Sequence, residues 1–373
     1  MVLPGLFILA VVIQLVYALY FFTRILFLPL ARTEPGMAHE PVSIIICAKN
    51  EAANLKKNLP AILAQRYQDS AGGRNYEVIV VNDASTDNTA EILSELQAQF
   101  SCLKIATIPH DAPRSLPGKK YALSIGVANV THHWLLLTDA DCAPARDTWL
   151  AQMVVPLGDG KELVAGYGGY NEAAGLLNAF IRWETLHTFL QYSTYILAGK
   201  PYMAVGRNMA CTKDALEKAQ RSVIWGVLPS GDDDLLVRVA ATPHNTAVVC
   251  DTAAFTWSDA KATWREWAVQ KQRHMSTGKY YKGGIKLLLG AYGTSHAAMW
   301  VLFIVLMFTP FQKAVLLAMG ARCIVYWALW VVTGVKLQSR RIIYLFPLFD
   351  IGWMVYNFAF LPYITWKNKQ HWK

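Results

Sequence analysis

Apolar residues follow two regimes along this chain: long runs that are apolar on every face at the two ends, and short apolar runs alternating with polar loops between them. Residues 3–28 are nearly all apolar, interrupted by Gln14 and Arg24, and can cross a hydrocarbon core of about 30 Å. The run exceeds a signal h-region, no basic n-region precedes it and no small-x-small site follows, so a retained anchor is predicted over a cleaved leader. Residues 295–311 and 314–335 predict a helical hairpin turning near Pro310 and Lys313. The last run, 342–364, contains Pro347, Asp350, Gly352 and Pro362, and is read either as a straight span or as a broken, re-entrant or interfacial segment. The positive-inside rule keeps Arg24, Arg32, Lys336, Arg340 and Arg341 cytoplasmic, with the central body. A single last crossing would put Lys367, Lys369 and Lys373 on the other side.

Between the ends, residues 42–47 form a β-branched apolar run of the kind buried in a parallel sheet, followed by the turn Ala48-Lys49-Asn50-Glu51 and a helical pattern through Leu55, Leu59 and Leu63. The unit repeats over residues 76–81, a polar loop from Asn82 to Asn88, and a helix through Ile92, Leu93 and Leu96. A third strand is predicted over residues 134–137. Alternating strands and helices predict an α/β body with a mostly parallel central sheet. The predicted organisation is an anchor at 1–30, a cytoplasmic body at 31–260, amphipathic interface helices at 261–294, and the hairpin with a further membrane segment at 295–373.

Composition supports an integral membrane protein of a cell membrane. Hydrophobic residues make up 54% of 373, and a net charge of +9 accompanies 13 Trp and 17 Tyr, a combination suited to anionic headgroups and the interface. Lys and Arg are dispersed, without a basic run interleaved with aromatics, so no nucleic-acid partner is predicted. The six cysteines form no C-x-x-C pair and read as reduced core residues, consistent with a cytosolic body.

In parallel α/β sheets ligands bind beyond the carboxyl ends of the strands, where Asp83 and Asp87 fall. Their plainer reading, with Ser85, is helix capping. Thr138-Asp139-Ala140-Asp141 carries more information, because two carboxylates one residue apart after a buried strand can aim at one hard cation, Mg²⁺ or Mn²⁺. The plainer reading there is a solvated acidic turn.

Seven blocks occur in order: SIIICAKNEAANL, VNDASTDNTAEIL, GKKYAL, LLLTDADCAP, GRNMA, SGDDDLL and QKQRH. Together, over about residues 41–274, the chain resembles the family 2 inverting glycosyltransferases of GT-A fold, a nucleotide-diphospho-sugar transferase fold, among them ceramide-glucosyltransferase-like and polysaccharide-synthase-like members. The resemblance implies that Asp83 reads the base or ribose of the donor, with Ala48, Asn50 and Glu51 beside it. It also implies that Asp139 and Asp141 hold metal and diphosphate and that Lys119 lies near the donor. On the residues alone, Lys119 is equally a surface lysine at a helix start. Asp233, with Asp232 as the alternative, is implied as general base. Three adjacent acids repel and raise the pKa of at least one, which suits a proton acceptor; a solvated acidic loop is the plainer reading. Asp232 stands where the family has Glu.

The resemblance further implies a leaving-group and acceptor role for Gln270, Arg273 and His274, where His replaces the family's Trp, and for Asn208. Trp264, Trp267, Lys271 and His274 recur at helical spacing, predicting an aromatic and basic face at a membrane surface. The implied reaction is sugar transfer from a UDP- or GDP-sugar to a lipid or glycan hydroxyl. A processive polysaccharide synthase and a non-catalytic nucleotide-sugar-binding scaffold are the alternatives.

Overall fold

The computed structural model describes residues 2–28, 40–228 and 231–365. Arg32, Ser230 and the basic tail Lys367, Lys369 and Lys373 lie outside them. The described residues form two compact units, one of residues 40–171, 201–228 and 231–260, the other of residues 2–28, 172–200 and 261–365.

The first unit is α/β. Its strands are β1 (Val42–Ala48), β2 (Tyr76–Asp83), β3 (Leu103–Ile108), β4 (Trp134–Asp139), β5 (Cys142–Pro144), β6 (Leu163–Ala165), β7 (Gly168–Tyr170), β8 (Met209–Thr212), β9 (Thr246–Val248) and β10 (Thr256–Ser258). Seven form one sheet in the order β3-β2-β1-β4-β8-β6-β9, and β5-β10-β7 form a small second sheet. The four strands from β3 to β4 are parallel, whereas β8 is antiparallel to both β4 and β6. Every residue of β1 and β2 is buried, which explains why both read as continuous apolar runs.

Helix Ala52–Leu63 sends Leu55, Leu59, Ile62 and Leu63 into a core with Val42, Ile44, Ile46, Val78 and Val80. Each such side chain contributes about 1.5–3 kcal/mol by leaving water. Helix Lys119–Ala128 approaches the sheet so closely that a Cβ on Gly126 would lie 2.7 Å from Ile45 Cγ2. From β1 the chain adds β2 on one side and β4 on the other. That reversal opens a crevice beyond the carboxyl ends of β1, β2 and β4, where the predicted site residues fall.

In the second unit, four segments are long and apolar enough to cross a membrane: Val2–Phe27, Gly283–Leu306, Gln312–Lys336 and Arg340–Pro362. The second starts at Gly283, inside the stretch expected as interface helices, because Ile285, Leu287, Leu288 and Leu289 extend its apolar run. Several polar residues within these segments bond one another. Gln14 Nε2 donates to Ser295 Oγ at 2.9 Å, and Gln14 Oε1 accepts from the Tyr326 hydroxyl at 3.0 Å.

The last segment is not broken as one reading had it. A 3₁₀ stretch, Arg340–Leu345, leads into one helix, Phe346–Thr365. Pro347 falls in the first turn, where its missing N–H costs nothing, and Asp350 is neutralised by both Arg322 Nη atoms at 2.5 and 3.0 Å.

Helix Leu176–Leu197, expected within the body, belongs to this second unit. It is buried on most of its faces, with the Trp183 ring tilted against Trp330 at 5.4 Å and His187 4.7 Å from the Trp353 ring. Helix Trp264–Met275 starts with a capping box in which Thr263 and Glu266 bond reciprocally. Half of the expected aromatic and basic face turns inward instead of to a membrane surface. Trp267 is 5% exposed among Phe180, Tyr356 and Phe360, and Lys271 pairs with buried Glu184, whereas Trp264 stays half exposed and His274 is exposed. Gln270, Arg273 and His274 lie on this helix.

Candidate active site

The loops after β1 and β2 are stitched together. Asn50 adopts a left-handed conformation (φ 55°), its amide donates to Ser85 Oγ at 3.0 Å, and its Oδ1 accepts from the Thr86 amide at 2.7 Å. Asp87 takes the capping reading twice over: Oδ1 accepts from the Thr89 amide and Oδ2 from the Ala52 amide, both at 3.1 Å, so it closes the starts of two helices. Glu51 accepts from Asn54 Nδ2 at 2.5 Å, and Ala48, fully buried, ends β1. Three of the expected donor residues, Ala48, Asn50 and Glu51, therefore shape the rim of the crevice.

Asp83 closes β2 with its side chain fully buried. Both carboxylate oxygens accept from Arg114, at 3.1 and 2.5 Å, a charge-assisted fork. Nothing in the local pattern of the 109–117 loop singles out Arg114; its partner lies 31 residues away.

Gly118 (φ 63°) turns the chain into helix Lys119–Ala128 and gives its two lysines different tasks. Lys119 pairs with Asp139 and comes within 3.8 Å of Asp232. Burial depresses the Lys119 ammonium, but Asp139 and Asp232 outweigh it and hold the group well above its ordinary pKa. Lys120 is buried and donates to the carbonyls of Trp225 at 3.0 Å and Leu228 at 2.7 Å, tying down the segment before the Asp232–Asp234 run. Burial draws its pKa down to about 8.

One ligand atom from each of Asp139, Asp141 and Cys142 lies within 4.8 Å of the others. Burial and the two neighbouring carboxylates push the Cys142 thiol well above its usual pKa. The two hard carboxylates fit Mg²⁺ or Mn²⁺, and the Lys119 ammonium on Asp139 marks where positive charge is wanted. Asn58 Nδ2 donates to the Ala140 carbonyl at 3.2 Å, holding the turn between the two acids.

Asp233 sits at the start of helix Asp232–Ala240, its Oδ2 accepting from the Gly206 amide and its Oδ1 from the Asp234 amide, both at 2.9 Å. Burial, followed by the Asp232 charge, pushes its carboxyl up to about 6. Asp232 faces Lys119 instead, which separates the two acids: one balances a cation, the other is poised near neutrality.

Asn208 departs from its expected role. It is fully buried, its Nδ2 donates to the carbonyls of Tyr167 and Ala254 at 2.8 Å each, and its Oδ1 accepts from Trp149 Nε1 at 2.9 Å. That amide is a pin in the core, with both N–H donors spent on backbone carbonyls and its oxygen on the Trp149 indole.

The model of the family described as Glycosyl transferase family 2 matches residues 43–219. A probable glycosyltransferase of Bacillus subtilis is 27% identical over 248 residues, 64% of this chain and 55% of the relative. A glycosyltransferase of Haloferax volcanii is 34% identical over 126 residues, 34% of this chain and 38% of its own length. The chain thus spans about half or less of the length of these relatives. Among solved structures, a mannosyltransferase of Pyrobaculum calidifontis, in complex with GDP-mannose and Mn²⁺, superposes with a TM-score of 0.57 at 17% identity, covering 95% of this chain and 98% of that one. That likeness concerns the fold. Residues 43–219 thus carry a family 2 glycosyltransferase domain, on a fold of GT-A type.

Proposed function

We propose that this protein is an inverting glycosyltransferase that moves a sugar from a nucleoside-diphosphate sugar onto a hydroxyl group of a membrane lipid. The observation that carries the reading is Asp233: a buried carboxylate held by two backbone amides, with its pKa pushed up to about 6, in a unit whose Asp139 and Asp141 suit a divalent cation.

Such a carboxylate can take the proton of an acceptor hydroxyl as that oxygen bonds to the anomeric carbon. The bond from the anomeric carbon to the diphosphate oxygen breaks in the same displacement, so configuration inverts and nucleoside diphosphate leaves. Mg²⁺ or Mn²⁺ held by Asp139 and Asp141 would supply Lewis-acid stabilisation of that leaving group. Asp83 and Arg114 form a polar end for the base and ribose. A lipid acceptor is supported by four segments apolar enough to span a bilayer on the same chain, and the body is read as cytoplasmic.

Membranes containing the protein, given a panel of labelled nucleotide sugars with Mg²⁺ or Mn²⁺, should put label into the lipid extract. Label in long polymer instead would favour a processive synthase, and absence of any donor hydrolysis or transfer would favour a scaffold. Asp233→Asn should abolish transfer while nucleoside diphosphate still binds; transfer at the wild-type rate would remove Asp233 as base.

A further inference from the structure

Arg207 is the residue between Gly206, whose amide holds Asp233, and Asn208, whose amide is pinned in the core. Its own carbonyl accepts from Thr138 Oγ1 at 3.0 Å and Thr256 Oγ1 at 3.2 Å, so its backbone is fixed beside β4 and β10. The side chain is equally constrained. Its guanidinium carbon lies 4.4 Å from the centroid of the Tyr170 ring, and Nη1 reaches Ser258 Oγ at 3.4 Å.

Space has been left for this arrangement. A Cβ on Gly168 would lie 2.6 Å from Arg207 Nε and 2.8 Å from its Cγ, so no larger residue fits under the side chain as it stands. A guanidinium lying over a ring keeps its N–H donors in its own plane, directed at whatever lies beside the ring. The Thr138 bond to its carbonyl fixes Arg207 against the residue just before Asp139 in the neighbouring strand, beside the acidic turn.

We propose that Arg207 binds the diphosphate of the donor, receiving the negative charge that develops on the leaving group. The inference rests on the glycosyltransferase reading. Once a divalent cation takes up the charge of Asp141, the guanidinium needs another anion, and a diphosphate matches its planar fork. The same three-residue segment then positions the base through Gly206 and the leaving group through Arg207.

The test is calorimetric titration of the detergent-solubilised full chain with UDP, UMP, GDP and GMP in Mn²⁺, for wild type, Arg207→Met and Arg207→Lys. The expected result is diphosphate binding weakened about tenfold or more in Arg207→Met, with monophosphate binding changed by less than about twofold. Arg207→Lys, which keeps the charge and loses the fork, should fall between. Wild-type diphosphate affinity in both variants, or equal loss for mono- and diphosphate, overturns the proposal. The equal loss would make Arg207 a counter-ion of Asp141 alone. Failure of the wild type to bind any of the four nucleotides overturns the glycosyltransferase reading itself, and this inference with it.

Discussion

Lys119 joins Asp139 to Asp232: its ammonium pairs with the first and lies 3.8 Å from the second. One internal cation therefore links the acid expected at the metal with the start of the acidic helix. Replacing it by Met removes a competitor for Asp139, so Mn²⁺ should bind several-fold more tightly without donor. Transfer should still fall about 100-fold, because a charge aimed at the reacting groups is lost. Titration with Mn²⁺ reads the first effect, and unchanged metal affinity would sink the idea that Lys119 stands in for the cation.

Because Asp233 must be ionised to accept a proton and its pKa is pushed up to about 6, kcat/KM should rise about tenfold per pH unit below 6 and level off above it. A profile flat from pH 5 to 8 would contradict the assignment.

The same shift has a stability consequence of opposite sign. A carboxyl whose folded pKa exceeds its ordinary value of 3.8 binds more protons in the folded state between those values, so its contribution worsens as pH rises towards 6. Asp233→Asn should raise the Tm at pH 7 by a few degrees, about 1 kcal/mol. A lower Tm would mean that the amide bonds from Gly206 and Asp234 need the charge more than burial opposes it.

Glu77 makes the reverse case. Burial pushes its carboxyl up, but Lys104 at 2.5 Å, Ser43 Oγ at 2.6 Å and the Thr131 amide at 2.7 Å prevail and hold it at about 2. Its stabilisation is complete above about pH 4.5 and disappears as pH falls towards 2. Glu77→Gln should cost on the order of 2 kcal/mol at pH 7 in urea denaturation and about half of that at pH 3. An equal cost at both pH values would assign the effect to packing.

Asn208→Ala should cost on the order of 3 kcal/mol, since it strands the Trp149 indole N–H and two carbonyls in the core. A variant as stable as wild type would return Asn208 to the list of substrate-binding candidates.

What could be read from the chain alone was local. Buried parallel strands announce themselves as apolar runs, and acids directly after them, such as Asp139 and Asp141, fall at the carboxyl ends by topology. What escaped depended on partners distant in sequence. Arg114 is a single residue in an ordinary loop, and Arg207, although within the GRNMA block, has no role of its own until Tyr170 lies beside it. Asn208 was placed at the substrate because its motif is, and only its three core bonds show otherwise. Helix Leu176–Leu197 and the Trp267 face were misplaced for a related reason: a residue pattern shows that a face is apolar, not which neighbour covers it.

The stitching of Asn50 to Ser85 and Thr86, reinforced by Asp87 across both helix starts, gives the crevice one wall that needs no ordering when a ligand arrives. Entropy lost on binding would then fall on the other wall, where Arg114 and Lys119 are already committed to internal carboxylates. Association should accordingly be limited by the exchange of these ion pairs for donor contacts. It should quicken with added salt in the range where salt weakens the pairs more than it screens the incoming diphosphate.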